Sequence, residues 1–171
     1  MGTMIPTKPQ RLGRHFLTDH HSVRRRFSPQ ALKRIEDAIA AGERQHEGQV
    51  RFVVEGSLPL GQILRGLEPR ARALELFGRL GVWDTEHNNG VLIYVLLADK
   101  DVEIVADRGV DRRVAQDTWE VICRAMESAF REGRFEDGAI DGIAAISELL
   151  AQHFPRRAAG PNELPDQPIV L

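Results

Sequence analysis

The chain has 171 residues and one cysteine, and its 23 Lys and Arg against 25 Asp and Glu give a net charge of −2. This length suits one domain that buries on the order of two-thirds of its unfolded surface. The single cysteine, Cys123, excludes an intramolecular disulfide. The mildly acidic balance does not favour a nucleic-acid binder, which usually has a basic domain. No segment has the roughly 20 apolar residues of a membrane span.

The charge is unevenly distributed. Residues 1–26 hold six Lys and Arg and one Asp, a net of +5, which leaves −7 for the rest. We predict that residues 1–26 form a basic N-terminal arm, disordered over 1–14 and amphipathic-helical over 15–26. A solvated arm is the favoured interpretation, and contact with an anionic lipid surface or an acidic partner is the alternative. Met1–Gln10 lacks the apolar segment of a secretory signal, so we expect a cytoplasmic protein, peripheral at the membrane if the arm binds lipid.

Three histidines of this arm invite a metal-binding interpretation. A mobile arm is favoured instead, because metal ligands need a rigid surrounding to hold them. These histidines are His15, His20 and His21.

A single domain is predicted over residues 27–154, and it begins with a helix, a strand and a second helix. Ser28-Pro29 is typical of a helix start, with a capping hydroxyl followed by proline. Residues 49–55 alternate as a strand, and a second helix runs from Pro69 to Gly81. Strand, helix and the next strand together predict a crossover that joins parallel strands.

The most apolar stretch of the chain, residues 91–98, predicts a central strand that is covered on both faces. Asp99-Lys100 interrupts it, and alternating residues follow, so we predict an antiparallel hairpin with a two-residue turn. In that register Ala98 faces Asp101 and Leu92 faces Asp107. Asp107 then lies beside the start of the central strand.

Helices dominate the remainder of the domain. A third helix is predicted to start near Asp111–Arg112, and a fourth covers about residues 135–153. Residues 155–171 hold four prolines and are predicted to be an extended or disordered tail. The tail ends on the apolar residues 169–171, which suggests docking. The predicted fold is α/β, a three-layer α/β/α sandwich with a small mixed sheet.

Short oxygen-bearing side chains converge at one end of the predicted hairpin. Carboxylate and amide oxygens are the ligands that Ca²⁺ takes in flexible geometry, whereas Mg²⁺ keeps more waters. The alternative is a turn whose side chains bind their own backbone, and on spacing alone that turn is favoured. The candidate cation ligands are Asp84, Glu86, Asn88, Asn89 and Asp107.

A phosphate site competes for the same place. The start of the third helix, with Arg108, Gly109 and Arg112 nearby, suits an anion. A cation beside it would support hydrolysis of phosphomonoesters, with Asp84 or Asp107 as nucleophile or metal ligand. The alternative for the arginines is a solvated helix start. The motifs of Walker NTPases, serine hydrolases, zincins and Rossmann dehydrogenases are absent from the sequence.

Several segments, in order, resemble the TPM domain family (TLP18.3, Psb32 and MOLO-1). They are Phe77–Leu80, then Asn-Gly-Val-Leu-Ile over 89–93, then Asp-Arg-Gly-Val over 107–110. The later segment over 129–138, AFREGRFEDG, resembles the family's F-x-x-G-x-[YF]-x-x-G pattern, and Gly48 matches loosely. The similarity covers about residues 27–154, and the chain resembles the short bacterial members of unassigned function.

The resemblance implies an α/β/α sandwich with an acidic cleft that binds Ca²⁺ or another divalent cation in some members. It also implies a weak, disputed acid-phosphatase activity in some plant members. Many bacterial members have a signal peptide and a membrane anchor, and some are encoded beside LemA-like proteins, so a membrane-associated partner of that kind is implied. This sequence departs from that pattern, since it shows neither segment and has three arginines at 24–26 where the family often has an Asp.

Three functional hypotheses follow. The favoured one is an accessory module that binds a divalent cation through the five oxygen-bearing residues. The second is a metal-dependent phosphatase that uses Arg108 as a phosphate clamp. The third is a membrane-peripheral adaptor that uses the basic arm.

Overall fold

The computed structural model describes residues 8–18, 20–157 and 160–171. The helices are α1 Lys8–Leu17, α2 His20–Arg26, α3 Pro29–Glu43, α4 Leu60–Leu64, α5 Pro69–Arg79, α6 Arg108–Asp111, α7 Gln116–Arg131 and α8 Phe135–His153. The strands are β1 Gln49–Glu55, β2 Gly90–Leu96, β3 Asp101–Ala106 and β4 Ile169–Val170.

The strands form one mixed sheet in the order β3-β2-β1-β4. β1 and β2 are parallel, and α5 lies between them in the chain, which confirms the predicted crossover. β2 and β3 are antiparallel, and β4 pairs with β1 in parallel. The apolar β2 lies inside the sheet and is buried along its whole length, as its sequence indicates.

Each face of the sheet carries its own core, so the predicted α/β/α sandwich is confirmed. On one face, α3, α7 and α8 pack against Phe52 and Ile93. On the other face, α5 packs against Leu92 and Tyr94. This alternation follows from the period of two along a strand, which sends successive side chains to opposite faces.

The predicted hairpin register is wrong by two residues. Leu96, rather than Ala98, faces Asp101, and Leu92 faces Val105. Four residues, Leu97–Lys100, make the turn, and Lys100 adopts a positive φ of 56°. Asp-Lys does not favour the positive φ at both centres that a two-residue type I′ turn demands, so the turn widens. A shift of two keeps every side chain on its predicted face, and Asp107 still adjoins the start of β2.

The amino-terminal prediction also needs correction. Residues 8–14, expected to be disordered, belong to α1, and within the predicted helix over 15–26, residues 15–17 end α1 and residues 20–26 form α2. The physical reason is a set of buried polar contacts at Asp99, which Arg11 and His15 both reach. The remainder of the predicted disorder, residues 1–7, lies outside the described residues, as does the side chain of His20.

Two further elements differ from expectation. The third predicted helix does not begin at Asp111–Arg112, because the four-residue α6 ends there and α7 starts at Gln116. The tail is fixed at its end, where Ile169 and Val170 form β4 and confirm that the apolar terminus docks. Within the described part of the chain, no helix is both long and apolar enough to cross a membrane.

Candidate functional site

The start of β2 and the end of β3 hold the two innermost candidate ligands. The backbone N–H of Asp107 donates to Gly90 O at 2.8 Å, so Asp107 sits beside the first residue of β2. Asn89, just before β2, is fully buried. A side chain at Gly90 would collide with the carbonyl of Val82, so this close passage of the loop needs glycine.

Three hydrogen bonds to neighbouring residues fix the position of Asn89. Its N–H donates to Thr85 Oγ1 at 3.0 Å, and its Nδ2 donates to Glu47 O at 2.8 Å. Its carbonyl accepts from Gln49 N at 3.2 Å. Its side-chain Oδ1 is buried and has no hydrogen-bond partner among the described residues.

Asp107 has a similar unsatisfied oxygen. Its Oδ1 caps α6 by accepting from Arg108 N at 2.7 Å. Its Oδ2 is buried and finds no partner in the described chain, and the residue is only 8% exposed. Leaving a buried acceptor unsatisfied costs about 1–3 kcal/mol, more for a charged group. The open end of the hairpin, opposite its turn, therefore has two buried oxygens that lack a hydrogen-bond donor or a cation among the described residues.

Asn88 connects the two predicted sites. It adopts a positive φ of 51°, and its backbone O accepts from Gly109 N at 3.0 Å. Its Oδ1 accepts from Arg108 Nε at 3.0 Å. A predicted cation ligand is thus bonded to the predicted phosphate clamp, and one lone pair of this amide oxygen remains for a second partner.

Asp84 and Glu86 lie farther out, on the exposed part of the loop. The backbone N–H of Glu86 donates to Glu163 Oε2 at 3.0 Å, which ties the loop to the carboxy-terminal tail. Glu86 and Glu163 line a surface cavity of about 190 Å³ together with Glu47. Sequence reasoning missed Glu163, and the only signal for it was the apolar end of the tail, which indicated docking.

The start of α6 is already occupied by the protein's own acceptors. Arg108 N donates to Asp107 Oδ1, Gly109 N to Asn88 O, and Val110 N to Asp107 O. Arg112 is exposed, and its N–H donates to Arg108 O. The predicted phosphate residues are therefore neighbours, but these amides are not free to bind an anion.

The types of ligand atom at the open end of the hairpin, amide and carboxylate oxygens, suit a hard divalent cation. Amide and carboxylate oxygens, such as the two buried ones, are ligands that Ca²⁺ accepts. In residues 8–18, 20–157 and 160–171, no group of three or more His, Cys, Asp or Glu is arranged to hold a metal. A cation here would therefore depend on amide oxygens and on water as well as on carboxylates.

A second group of carboxylates, for which the sequence pattern gives no signal, lines β3 and α7. Burial and the neighbouring Glu103 and Glu127 raise the pKa of Asp101 to about 7. Glu127 Oε1 accepts from Val102 N at 3.3 Å, so it covers an outward N–H of the edge strand. Burial raises the pKa of Cys123 to about 12, which fits an inert core residue rather than a nucleophile.

Comparison with known proteins places the chain among similar folds. The TPM domain family matches residues 24–149. The chain is similar to the BA42 protein from the psychrophilic bacterium Bizionia argentinensis, whose structure was determined by NMR. The two sequences are 30% identical, the TM-score is 0.74, and the match covers 84% of this chain and 94% of that chain. The N-terminal domain of a P. gingivalis protein shares the fold at 19% identity and a TM-score of 0.59, covering 77% and 82%. No curated protein sequence matches the chain.

Proposed function

Because the chain belongs to the TPM domain family, we propose that it is an accessory module that binds a divalent cation at the end of the β2–β3 hairpin. The proposed cation is Ca²⁺, with Mg²⁺ as the alternative. Asn89 and Asp107 are the inner ligands, and Asp84, Glu86 and Asn88 are the outer ones. The observation that carries this proposal is the pair of buried, unpartnered oxygens, Asn89 Oδ1 and Asp107 Oδ2.

The surrounding hydrogen bonds support a preformed site. Asn89 is fixed through Thr85 and Glu47, and Asp107 is fixed through α6. Rigid support of this kind orients ligands before a cation arrives. With few buried carboxylates, the affinity belongs to the weak class, on the order of 10⁻⁴–10⁻³ M.

The test is a titration of metal-free protein with Ca²⁺ and then Mg²⁺, followed by amide NMR. We expect shifts confined to residues 84–91 and 107–109. The double variant Asp84→Asn with Asp107→Asn should lower the affinity at least about tenfold, because it removes two of the three negative charges from the proposed site. Asn caps a helix about as well as Asp, so this variant should keep α6.

A matched control removes the same charge elsewhere. Asp117 and Asp141 are exposed carboxylates in α7 and α8, and changing both to Asn should leave the cation affinity unchanged. Equal affinities in the two double variants would contradict the assignment. Two bound waters would then be the better explanation for the buried oxygens.

Phosphomonoester hydrolysis stays a prediction from the sequence. The occupied amides of α6 give it no support, and Arg108 already binds Asn88. Its test is metal-dependent turnover of a phosphomonoester that Arg108→Ala abolishes. Turnover equal to that of a mock purification would remove this activity from consideration.

A further inference from the structure

Helix α1 has an inverted arrangement of polar and apolar side chains. Two of its polar residues face the protein: the side chains of Arg11 and His15 are only 12% and 1% exposed. The two apolar residues at its end face outward, with Phe16 79% and Leu17 84% exposed. A surface helix normally turns its apolar stripe to the core, so an outward apolar end requires another explanation.

The inward contacts hold α1 in this orientation. Arg11 binds Asp99 through Nε at 3.0 Å and Nη2 at 2.8 Å. Leu58 N donates to His15 Nδ1 at 3.0 Å, so Nε2 carries the ring hydrogen and points to Asp99 Oδ1 at 3.2 Å. Burial alone would raise the pKa of Asp99, but the hydrogen bonds from His15 and Arg11 lower it overall. The outward direction of Phe16 and Leu17 is therefore fixed by buried polar contacts.

Helix α4 adds to the same apolar surface. Leu60 is 49% exposed and Leu64 is 66% exposed, one helical turn apart. A shallow cavity of about 280 Å³ is lined by Phe16, Leu60 and Ile63, so the two helices share one surface. We call the set Phe16, Leu17, Leu60, Ile63 and Leu64 the apolar patch. Contiguous exposed apolar side chains of this kind mark interaction sites on soluble proteins.

The exposed charged side chains that flank the apolar patch within its own two segments are arginines. Residues 8–18 and 57–67 contain no Asp or Glu, in a chain that is acidic overall. Arg14 and Arg65 are exposed beside the patch, and neither forms a salt bridge to a described residue. A second copy of this surface would place arginine against arginine, which disfavours self-association. A surface that is both apolar and negatively charged is complementary to it.

We propose that the apolar patch docks on an anionic lipid bilayer, with Phe16, Leu17, Leu60 and Leu64 entering the interface and Arg14 and Arg65 meeting the headgroups. Nearly fully exposed side chains at the end of a helix protrude, and protruding apolar groups can enter a bilayer without a matching groove. Apolar insertion combined with headgroup attraction is the usual basis of peripheral binding. This surface is independent of the proposed cation site.

The experiment is flotation of the full chain with vesicles of phosphatidylcholine alone or mixed with phosphatidylglycerol, in the presence of a chelator. We expect binding to the mixed vesicles only. Raising the salt from about 0.1 M to about 1 M shortens the Debye length from roughly 10 Å to roughly 3 Å and should release most of the protein. Arg14→Glu with Arg65→Glu should weaken partitioning by roughly tenfold or more, since each cation near the surface contributes.

Two variants test the apolar part separately. Phe16→Ser with Leu17→Ser, and Leu60→Ser with Leu64→Ser, should each weaken partitioning at least about tenfold. The two pairs lie on different helices, so a folding defect in one leaves the other informative. The matched control is Leu74→Ser with Val121→Ser, which changes two exposed apolar residues on α5 and α7 and should leave binding unchanged.

The overturning results are equally specific. Absence of flotation with the phosphatidylglycerol vesicles would refute the proposal, as would equal losses in the patch and control variants. A dimer in solution that Phe16→Ser with Leu17→Ser dissociates would assign the patch to a second copy. Flotation that appears only with added Ca²⁺ would assign membrane contact to a cation bridge rather than to the patch.

Discussion

Tyr94 Oη donates a 2.7 Å hydrogen bond to Glu55 Oε2 within the core between the sheet and α5. Arg72 binds the same carboxylate twice, through Nε and Nη2, both at 2.9 Å. All three residues are buried, with exposures of 0%, 4% and 7% for Tyr94, Glu55 and Arg72. A buried charge is tolerated because its partners replace the lost water.

Replacing Arg72 or Tyr94 should show how much the folded state depends on the partners of the buried Glu55 carboxylate. Arg72→Met should lower the free energy of unfolding by about 3–5 kcal/mol, because it leaves the Glu55 carboxylate buried without its cation. Tyr94→Phe should lower it by about 1.5–3 kcal/mol, the range for a hydrogen bond to a charged group. Urea denaturation measures both changes.

The control for these variants is an ion pair at the surface. Arg79 pairs with Glu75 at 3.2 Å, and its side chain is 66% exposed. Arg79→Met should change the free energy of unfolding by about 1 kcal/mol or less. A loss in Arg72→Met no larger than in Arg79→Met would show that Glu55 is not stabilised by its buried partners.

The burial of the Glu43 carboxyl predicts that stability falls as the pH rises. Burial raises its pKa to about 8, although its Oε1 accepts a 2.8 Å hydrogen bond from Val50 N. Between the ordinary Glu pKa of about 4.3 and this value, the folded state binds more protons at this site than the unfolded state. The contribution of Glu43 to stability therefore falls as the pH rises through that window, by up to roughly 1.4 kcal/mol per pH unit.

Glu43→Gln should remove this dependence, since Gln keeps an acceptor for Val50 and has no charge to bury. Thermal unfolding measured from about pH 5 to about pH 8 should then show a flatter profile than the original chain, with the gain largest at high pH. Glu36→Gln, in the same helix and outside the core, should keep the original slope. Identical profiles for Glu43→Gln and the original chain would contradict the raised pKa.

The elements that the sequence predicted correctly have local signals. Ser28 caps α3 by accepting from Ala31 N, α5 begins at Pro69, and the apolar run specifies a buried β2. These features depend on residues within one turn or one strand, so propensity and capping chemistry suffice. The position of Asp107 beside the start of β2 followed from the hairpin, even though its register was two residues off.

The missed features depend on contacts between residues far apart in the chain. Arg11 and Asp99 are separated by 88 residues, and Glu86 and Glu163 by 77. A single sequence contains no signal for such pairs, so the order of α1 and the position of the tail were not predictable from local pattern. The bond between Asn88 and Arg108 was missed for the same reason.

A substitution at Gly109 would test how tightly the candidate site is packed. A Cβ at this position would lie 2.9 Å from His87 O and would also collide with the carbonyl of Asn88. Gly109→Ala should therefore displace the loop, lower the free energy of unfolding by about 1–3 kcal/mol, and shift the amide signals of residues 87–89. Gly78→Ala is the control, because a Cβ there meets nothing within 4 Å in α5, and helix propensity should make it neutral or stabilising by up to about 1 kcal/mol.

The carboxy-terminal strand provides the last prediction. Leu171 N donates to Val54 O at 2.9 Å, and Gly56 N donates to Leu171 O at 3.3 Å, so β4 protects the outer edge of β1. Ending the chain at Gln167 removes these partners and should speed amide hydrogen exchange at Gly56. Leu97 N, which donates to Glu55 O at 3.0 Å on the opposite side of β1, is an internal control and should exchange at its original rate.

Truncation also creates an unpaired edge, since β1 then has β2 on one side only. An exposed strand edge is a template for pairing with another chain. We therefore expect the truncated protein to self-associate as its concentration rises, measured by sedimentation velocity, while the full chain does not change. Unaltered exchange at Gly56 in the truncated chain would show that β4 does not protect this edge, and the tail would then be held by its earlier contacts, such as the bond from Glu86 N to Glu163 Oε2.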